Sequence, residues 1–557
     1  MSAIARLALW AIGLTAVLVL VGAPLAGWPP VVRLPAVLVP ALALTACVTR
    51  PWSWPEFDRR ASVWQPSRSH VWSAAVVIGL ALFWYVLTRF HSGQINAIDF
   101  TIYYDRPCFQ TVHGRPLFVE VSDTPGFSYR SELADHAYWG MLAVCSVYAL
   151  HPSPLWLLAA SVIAVVVGAV YVLRVLQVVG ASGVVASAAA LAFVLNDNTA
   201  RTLNYGFHPE VLYACFVPWM IDAGLRGARR PFLAATLACV LVKEDACLAI
   251  FGVSVALALN RFRVMGRAER FLFLVLPTLV ALVNLAAYYG YVVPLLTGET
   301  HPTYAHFWGN YGDTPMRALT GMCRHPRRVL HDTMTSGVFR ILQPHLFLPV
   351  IGWRWALGVA PIVVLYGASA NEQVRAFGIY YAIVLVPFLV IAASSGALTV
   401  ARRLVTKVGT AQVIAGGAIL LGALLVGSGN RGYSLRPWKG EIAAVPAALA
   451  RLADEPVVLV QSGLFPHAGY DGRIQLLTPE TLNDPRHAGA AVLLAADVPA
   501  YPFRRFDLAG LMYRPPIRPM PAGMTAVRLS TLPGVDGDRS HPRPTSRLQP
   551  RGDSRLP

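Results

Sequence analysis

Apolar runs at about 3–22, 31–48 and 71–89 open the chain, each long enough, or nearly so, to cross ~30 Å of hydrocarbon as a helix. The polar segment 91–134 follows, with Asp99, Asp105, Glu120, Asp123 and Glu132 in it and Asp135 at its end. It reads as an external loop that extends to residue 153 through the short apolar stretch 137–151, which suits an interfacial helix as well as a span. Runs at 155–178, 182–196 and 211–225 come next, with Asn196-Asp197-Asn198 and the stretch 204–210 expected outside the membrane. An apolar stretch over 232–259 is then broken by Lys243-Glu244-Asp245. Beyond it, 271–296 crosses to a second external loop at 297–341. Segments 342–353 and 355–370 pivot at Trp353-Arg354-Trp355, and runs 379–397 and 410–428 close the series. The pattern predicts an all-α polytopic membrane protein with about thirteen transmembrane or re-entrant helices.

After 430 the pattern changes. Short buried strands are expected at 456–461 and 491–495, with a helix over 441–452, so a small extracytoplasmic α/β domain fits 431–532. Residues 533–557 are rich in Pro, Arg, Ser and Gly and predict a disordered tail. The division is therefore 1–70 (two additional helices and a cytoplasmic loop), 71–430 (the polytopic core), 431–532 and 533–557.

Composition supports the membrane reading. Of 557 residues, 55% are hydrophobic and 13% charged, against about 25% charged in soluble domains. The net charge of +17 belongs to loops at 50–68, 226–230, 261–270 and 402–407 and to the tail, so a nucleic-acid partner is not expected. Basic short loops stay in the cytoplasm, which puts the N-terminus inside and the C-terminus outside. The first apolar run has no small-residue cleavage site and reads as a retained helix. The seven cysteines show no CxxC spacing. Cys108 and Cys323 both fall on the external side and could pair; most of the others read as small hydrophobes in apolar segments.

Lysine occurs only at Lys243, Lys407 and Lys439, which sets apart the one inside an apolar stretch. Ionisable residues at membrane depth cost ~2.5–3.5 kcal/mol each and point to function. With basic loops on both sides, 232–259 should enter, turn at Lys243-Glu244-Asp245 near the far face and return; one long tilted helix with an internal ion pair is the rival. On this topology thirteen of the fourteen histidines, all but His70, share the external side. Asp99, Asp135-His136, Phe207-His208-Pro209-Glu210, Tyr380-Tyr381 and His467 join them there. Singly each suits a structural role, Asp99 as the end of a span for instance; together they describe an active site.

Phe207-His208-Pro209-Glu210 followed by Lys243-Glu244-Asp245 resembles the signature of the domain-of-unknown-function 2079 (DUF2079) family of bacterial membrane proteins. Ile98-Asp99-Phe100, Asp135-His136 and Ile379-Tyr380-Tyr381 resemble further pieces, although Tyr380 stands where the family pattern leads us to expect His. The stretch 461–467 resembles the start of the family's external part, and the resemblance covers roughly 70–500. The family is in turn similar to type C (GT-C) glycosyltransferases, polytopic enzymes that use lipid-phosphate-linked sugars. The resemblance implies a bacterial plasma-membrane protein that transfers a sugar from a polyprenyl-phosphate donor to an extracytoplasmic acceptor. Asp99 would be the general base, with Glu210 next in line. His136, His208, Lys243, Glu244, Asp245, Tyr381 and His467 would bind substrate, with Lys243 or an external arginine facing the phosphate. No cofactor is demanded, but Glu244 or Asp245 could hold Mg²⁺ or Mn²⁺. The alternative is a polytopic transporter or lipid-linked-substrate flippase with its charged site at Lys243-Glu244-Asp245; a non-catalytic scaffold ranks last.

Overall fold

The computed structural model describes residues 54–119, 131–297, 307–427, 433, 437–503, 508–521 and 523–529. The two helices expected before residue 50, Glu120, Asp123, residues 298–306 and the expected tail lie outside the described residues. The helices that organise the core are α1 (Trp54–Val63), α2 (Arg68–His91), α3 (Arg106–Val112), α4 (Trp139–Cys145), α5 (Leu155–Val178), α6 (Gly183–Leu195) and α7 (Asp197–Asn204). They continue with α8 (Tyr213–Arg226), α9 (Arg229–Val240), α10 (Ala246–Arg261), α11 (Leu276–Ala287), α12 (Val386–Leu404) and α13 (Val408–Gly427).

Among the described residues, four helical stretches are long and apolar enough to cross a membrane: α2, α5, Ala246–Val264 and Arg267–Thr297. Four shorter apolar helices accompany them, so length and apolarity alone do not reach the expected count of about thirteen. Local sequence explains the shortening. α6 has thirteen residues and rises about 20 Å, less than the hydrocarbon thickness, before Asn196 ends it. Asn196 caps α7 by accepting from Asn198 N. Asn196, Asp197, Asn198 and Thr199, which follow α6, are buried in protein. Thr199 Oγ1 donates to Phe193 O at 2.8 Å and Asp197 Oδ2 pairs with Arg201 at 2.7 Å, while Asp197 Oδ1 has no hydrogen-bond partner among the described residues.

The segment 342–353 is a second correction. Pro344 and Pro349 break it into single turns at Gln343–His345 and Leu348–Val350, with Leu346 and Phe347 at φ 51° and 57°, rather than a hairpin arm. Likewise the run 379–397 is helical only from Val386. The stretch before it turns through Phe377 and Ile379 at φ 50° and 54°. A β-branched residue there costs on the order of 1–3 kcal/mol and is held by its surroundings.

The interrupted stretch at 232–259 does turn back. α9 ends at Val240, Lys243-Glu244-Asp245 form the turn, and α10 returns, so the single long helix is excluded. α5 packs along α6 and α8, and α8 along α9, so the hairpin is held against the centre of the bundle.

The C-terminal unit carries α14 (Val445–Ala450) and a sheet of β1 (Val458–Val460), β2 (Ile474–Leu476), β3 (Ala491–Ala495) and β4 (Met524–Arg528). The order is β2-β1-β3-β4, with β1 parallel to β2 and β3, and β4 antiparallel to β3. β1 and β3 were legible as continuous apolar runs; β2 and β4 are short or half exposed and gave no such run. This sheet is not a free-standing module. Ala97, Ile102 and Val119 of the segment after α2 belong to the same apolar cluster as Val445, Phe465, Leu493 and Val498. Gly93, at φ 69°, lets that loop approach: a Cβ there would lie 2.7 Å from Val498 Cγ1.

Cys108 of α3 is disulfide-bonded to Cys145 of α4, pinning the segment between α2 and α5 to itself. The suggested Cys108–Cys323 pair is therefore not formed; Cys323 is free and exposed. An apolar context made Cys145 look like core.

Candidate active site

After α2 the chain enters a π-helix, Ala97–Asp105, a helix type that recurs at functional sites. Asn96 caps it, its Oδ1 accepting from Ile98 N at 2.9 Å and Asp99 N at 3.3 Å. The same side chain donates through Nδ2 to Asp99 Oδ2 at 3.0 Å and to Tyr205 Oη at 3.1 Å. Tyr205 Oη in turn donates to Asp99 Oδ2. Asp99 is thus oriented by two neighbours and a helix start. Burial pushes its pKa upward, and the Tyr205 hydrogen bond opposes part of that shift.

Asn96 and Tyr205 line a cavity of about 450 Å³ between the helix bundle and the sheet unit. Arg89, Arg201, Ser462 and Tyr501 also face it. The residue lengths explain the placement: Arg89 is in the last turn of α2, and Arg201 stands one turn beyond Asp197 on α7. Two guanidinia, a phenol and a carboxylate directly behind that phenol therefore meet at one opening. Arg89, Arg201, Tyr205 and Asn96 were not singled out in the sequence. An arginine closing a long apolar helix, and a tyrosine two residues before Phe207-His208-Pro209-Glu210, were the available signals.

On the other side of Tyr205 lies a second, drier network. Tyr205 packs edge-on against Tyr380, with centroids 5.3 Å apart, and Tyr380 stacks on His208 at 3.4 Å. The turn at Ile379 delivers Tyr380 to this position. His208 Nε2 lies 2.7 Å from Tyr104 Oη, and its Nδ1 contacts Glu210 Oε2. Glu210 Oε1 accepts from Lys243 Nζ at 2.7 Å. Gly206, at φ 99°, makes room for Phe100, whose ring a Cβ there would meet at 2.9 Å. Lys243 also sits 5.9 Å from the centroid of Tyr138, whose hydroxyl is 3.3 Å from that of Tyr104.

The remaining members of the turn are committed to structure. Glu244 accepts from Ala137 N at 2.9 Å and lies 3.0 Å from His136 Nδ1, which ties the hairpin to the segment before α4. Asp245 accepts from Tyr213 and Tyr366, both at 2.9 Å. Tyr381 accepts a 3.3 Å bond from Tyr380 and does not line the cavity. Glu210 is buried in its pair with Lys243 and likewise does not line the cavity. Lys243 is paired with Glu210 away from the cavity; the cations facing the cavity are Arg89 and Arg201, the second of which also pairs with Asp197 through one of its N–H groups.

His467 does not join either group. Its Nε2 lies 3.0 Å from Phe90 O and its ring packs against Phe90 at 4.0 Å, tilted by 46°, at the seam between α2 and the sheet unit. Burial holds its pKa down, at about 3, so it is neutral. Asp105 sits at the same seam, accepting from Tyr148 at 2.7 Å and Tyr470 at 2.9 Å, with its pKa raised to about 6 by burial.

Glu132 was passed over as one acid among many in a polar loop. It is buried, and its Oε1 has no hydrogen-bond partner among the described residues. Burial, then Asp135 and Asp99, push its pKa well above the usual carboxylate range. Among the described residues no three His, Cys, Asp or Glu side chains are grouped to hold a metal ion.

The family described as "Predicted membrane protein (DUF2079)" matches residues 89–475, which include Asp99, the Glu210 and Lys243 motifs and the first half of the sheet unit. No curated protein sequence matches the chain. Among solved structures, ArnT from Cupriavidus metallidurans bound to undecaprenyl phosphate is similar at 12% identity and a TM-score of 0.47, over 84% of this chain and 99% of that one. Arabinofuranosyltransferase AftD from Mycobacteria is similar at 16% identity and a TM-score of 0.44, over 78% of this chain and 36% of that one. Likenesses at this level leave the chemistry to be argued from the site.

Proposed function

For a chain that belongs to the DUF2079 family of predicted membrane proteins, we propose a GT-C-like glycosyltransferase activity: transfer of a sugar from a polyprenyl-phosphate donor to an extracytoplasmic acceptor. The observation that carries this reading is the cavity in which Arg89, Arg201 and the Tyr205 hydroxyl meet, with Asp99 bonded to that hydroxyl from behind. A lipid-linked sugar needs a cationic place for its phosphate, which planar guanidinia supply through paired N–H groups. Its acceptor needs a base, because an alcohol is a poor nucleophile at neutral pH.

In the proposed step the acceptor hydroxyl attacks the anomeric carbon as its proton passes to Tyr205 Oη, whose own proton moves to Asp99. The bond from the anomeric carbon to the phosphate oxygen breaks, and polyprenyl phosphate leaves with the electron pair, held by Arg89 and Arg201. Attack from the face opposite the leaving group inverts the anomeric centre. Asp99 is then the base and Tyr205 the relay. Glu210, Lys243 and His208 fix the wall behind Tyr380 and act as positioning residues, as do His136, Glu244 and Asp245.

We place the cavity and the sheet unit outside the cytoplasm. The Cys108–Cys145 disulfide suits an oxidising compartment, and the arginine-rich loops at 226–230 and 261–270 lie at the other end of α8, α9 and α10. A reporter fused after residue 440 and active only in the cytoplasm would remove this topology. The activity itself is tested with labelled polyprenyl-phosphate sugar and membranes from an expressing strain. Wild type should release polyprenyl phosphate and Tyr205→Phe should not; equal release by both, or by neither, counts against the proposal.

A further inference from the structure

We propose that an arginine-lined cavity at the end of the bundle opposite Asp99 binds the phosphate headgroup of an anionic membrane phospholipid. This inference needs only the membrane setting and is independent of the enzymatic reading. The cavity, about 530 Å³, opens where α5, α8 and the start of α9 meet, and Tyr171, Arg174, Trp219, Asp222, Arg226 and Arg230 line it.

Asp222 organises it. The carboxylate is buried, and each of its oxygens takes a different arginine: Oδ1 accepts from Arg226 Nε at 2.8 Å, and Oδ2 lies 2.9 Å from Arg174 Nη2. One carboxylate thus fixes two guanidinia without neutralising them. With Arg230, three positive charges face one negative. A guanidinium has five N–H donors, and the contacts with Asp222 use one from each arginine. The side chains of Arg174 and Arg226 remain 40% and 43% exposed, so donors are left for a phosphate to engage.

The surroundings favour a lipid over a soluble phosphate. α5 is one of the four helices long and apolar enough to span a membrane, and Arg174 lies near its end. Tyr171 and Trp219 stack beside the arginines, 6.0 Å apart and within 22° of parallel, and the Arg174 guanidinium lies 5.1 Å from the Tyr171 centroid. Tyrosine and tryptophan beside arginine at a helix end mark headgroup depth. On α9, whose Ala234 lines the cavity, Leu233 and Leu237 stand 40% and 55% exposed, four residues apart on one face. They offer acyl chains an apolar track leading away from the charges. Basic pockets between transmembrane helices on the cytoplasmic side take anionic headgroups in this manner.

The test uses the full-length protein in nanodiscs of phosphatidylcholine alone, or of phosphatidylcholine with phosphatidylglycerol or with cardiolipin. Native mass spectrometry then counts the anionic lipid retained per protein. Wild type should retain anionic lipid in preference to phosphatidylcholine. Arg230→Gln leaves the Asp222 pairs intact and should weaken retention by about fivefold, the value of one cation near an anionic headgroup; adding Arg174→Gln should weaken it further. Arg402→Gln, in the neighbouring cavity beside Trp355, should change little. Equal retention by wild type and Arg230→Gln, or an equal loss in Arg402→Gln, would overturn the site. Displacement of the lipid by inorganic phosphate at equal concentration would assign the arginines to a soluble anion and overturn the lipid assignment.

Discussion

Lys243 Nζ lies 2.7 Å from Glu210 Oε1, so the two motifs that stand out in the sequence meet as one buried ion pair. The pair closes a continuous line of side chains running from Lys243 through Glu210, His208, Tyr380 and Tyr205 to Asp99. The Glu210 charge is therefore compensated by Lys243, and at the other end of the line Tyr205 reaches the cavity that Arg89 and Arg201 also face.

Breaking that pair from one side should be severe. Lys243→Met leaves the Glu210 carboxylate buried without its cation and should lower stability by ~3–5 kcal/mol. Lys243→Met combined with Glu210→Gln removes both charges and should recover much of the loss. Thermal unfolding of the purified variants measures the coupling; additive losses would show that the two residues do not act as a pair.

Asp99→Asn keeps shape but loses basicity, and should reduce transfer by ~10²–10⁴-fold with donor binding nearly unchanged. Burial raises the pKa of Asp99, so the base is formed only above the ordinary aspartate range. The rate should rise with pH through that inflection and then level. Tyr205 donates a bond that lowers this pKa, so in any residual activity of Tyr205→Phe the inflection should move to higher pH. A pH–rate profile unaltered in Tyr205→Phe would uncouple the two residues.

The seam between core and sheet unit carries two opposed titrations. His467 is held neutral, with its pKa down at about 3, so its contribution is present above its unfolded value of about 6.5 and is lost as pH falls through about 3. Asp105 is raised to about 6, so its contribution is complete below about 3.9 and is lost as pH rises through about 6. His467→Gln should therefore flatten the acid limb of a stability–pH curve, and Asp105→Asn the limb between about 4 and 6. Melting temperatures across pH for the two variants check the signs.

Loss of the Cys108–Cys145 bond should destabilise the external loop by ~3–4 kcal/mol in the chain-entropy account. Cys108→Ser and Cys145→Ser should behave alike, while Cys323→Ser should be neutral. In the native wild type, a membrane-impermeant maleimide should label the exposed Cys323, while Cys215, Cys239 and Cys247 are buried. Labelling of Cys145 without a reductant would contradict the pairing.

The hairpin at Lys243-Glu244-Asp245 was legible because three charges in a row cannot be left in hydrocarbon, and basic residues at 226–230 and 261–263 fixed both ends on one side. Asp99 was legible as an acid just after an outward helix. The cavity was not, because Arg89 and Arg201 acquire meaning only when Ser462 and Tyr501 return from the far end of the chain to close over them. That His467 lies apart from the cavity was not legible for the related reason that the sequence does not show that its ring meets the Phe90 carbonyl. Length and apolarity do not by themselves confirm the helix count, because short helices such as Gly183–Leu195 end at polar residues that are buried by protein, and hydropathy registers transfer to lipid and not to a protein interior.

The apolar cluster shared by Ala97 and Ile102 with Val445, Phe465 and Val498 has a bearing on biosynthesis. The ribosome makes the π-helix early, and most of the bundle must be threaded into the membrane before the strands that cover it emerge. Until then the π-helix that carries Asp99 lacks the apolar cover that Val445, Phe465 and Val498 give Ala97 and Ile102. A nascent or truncated chain would thus hold its acid in an unactivated state. Competence would arrive only when the sheet unit has settled against the π-helix, making that docking the last step of maturation.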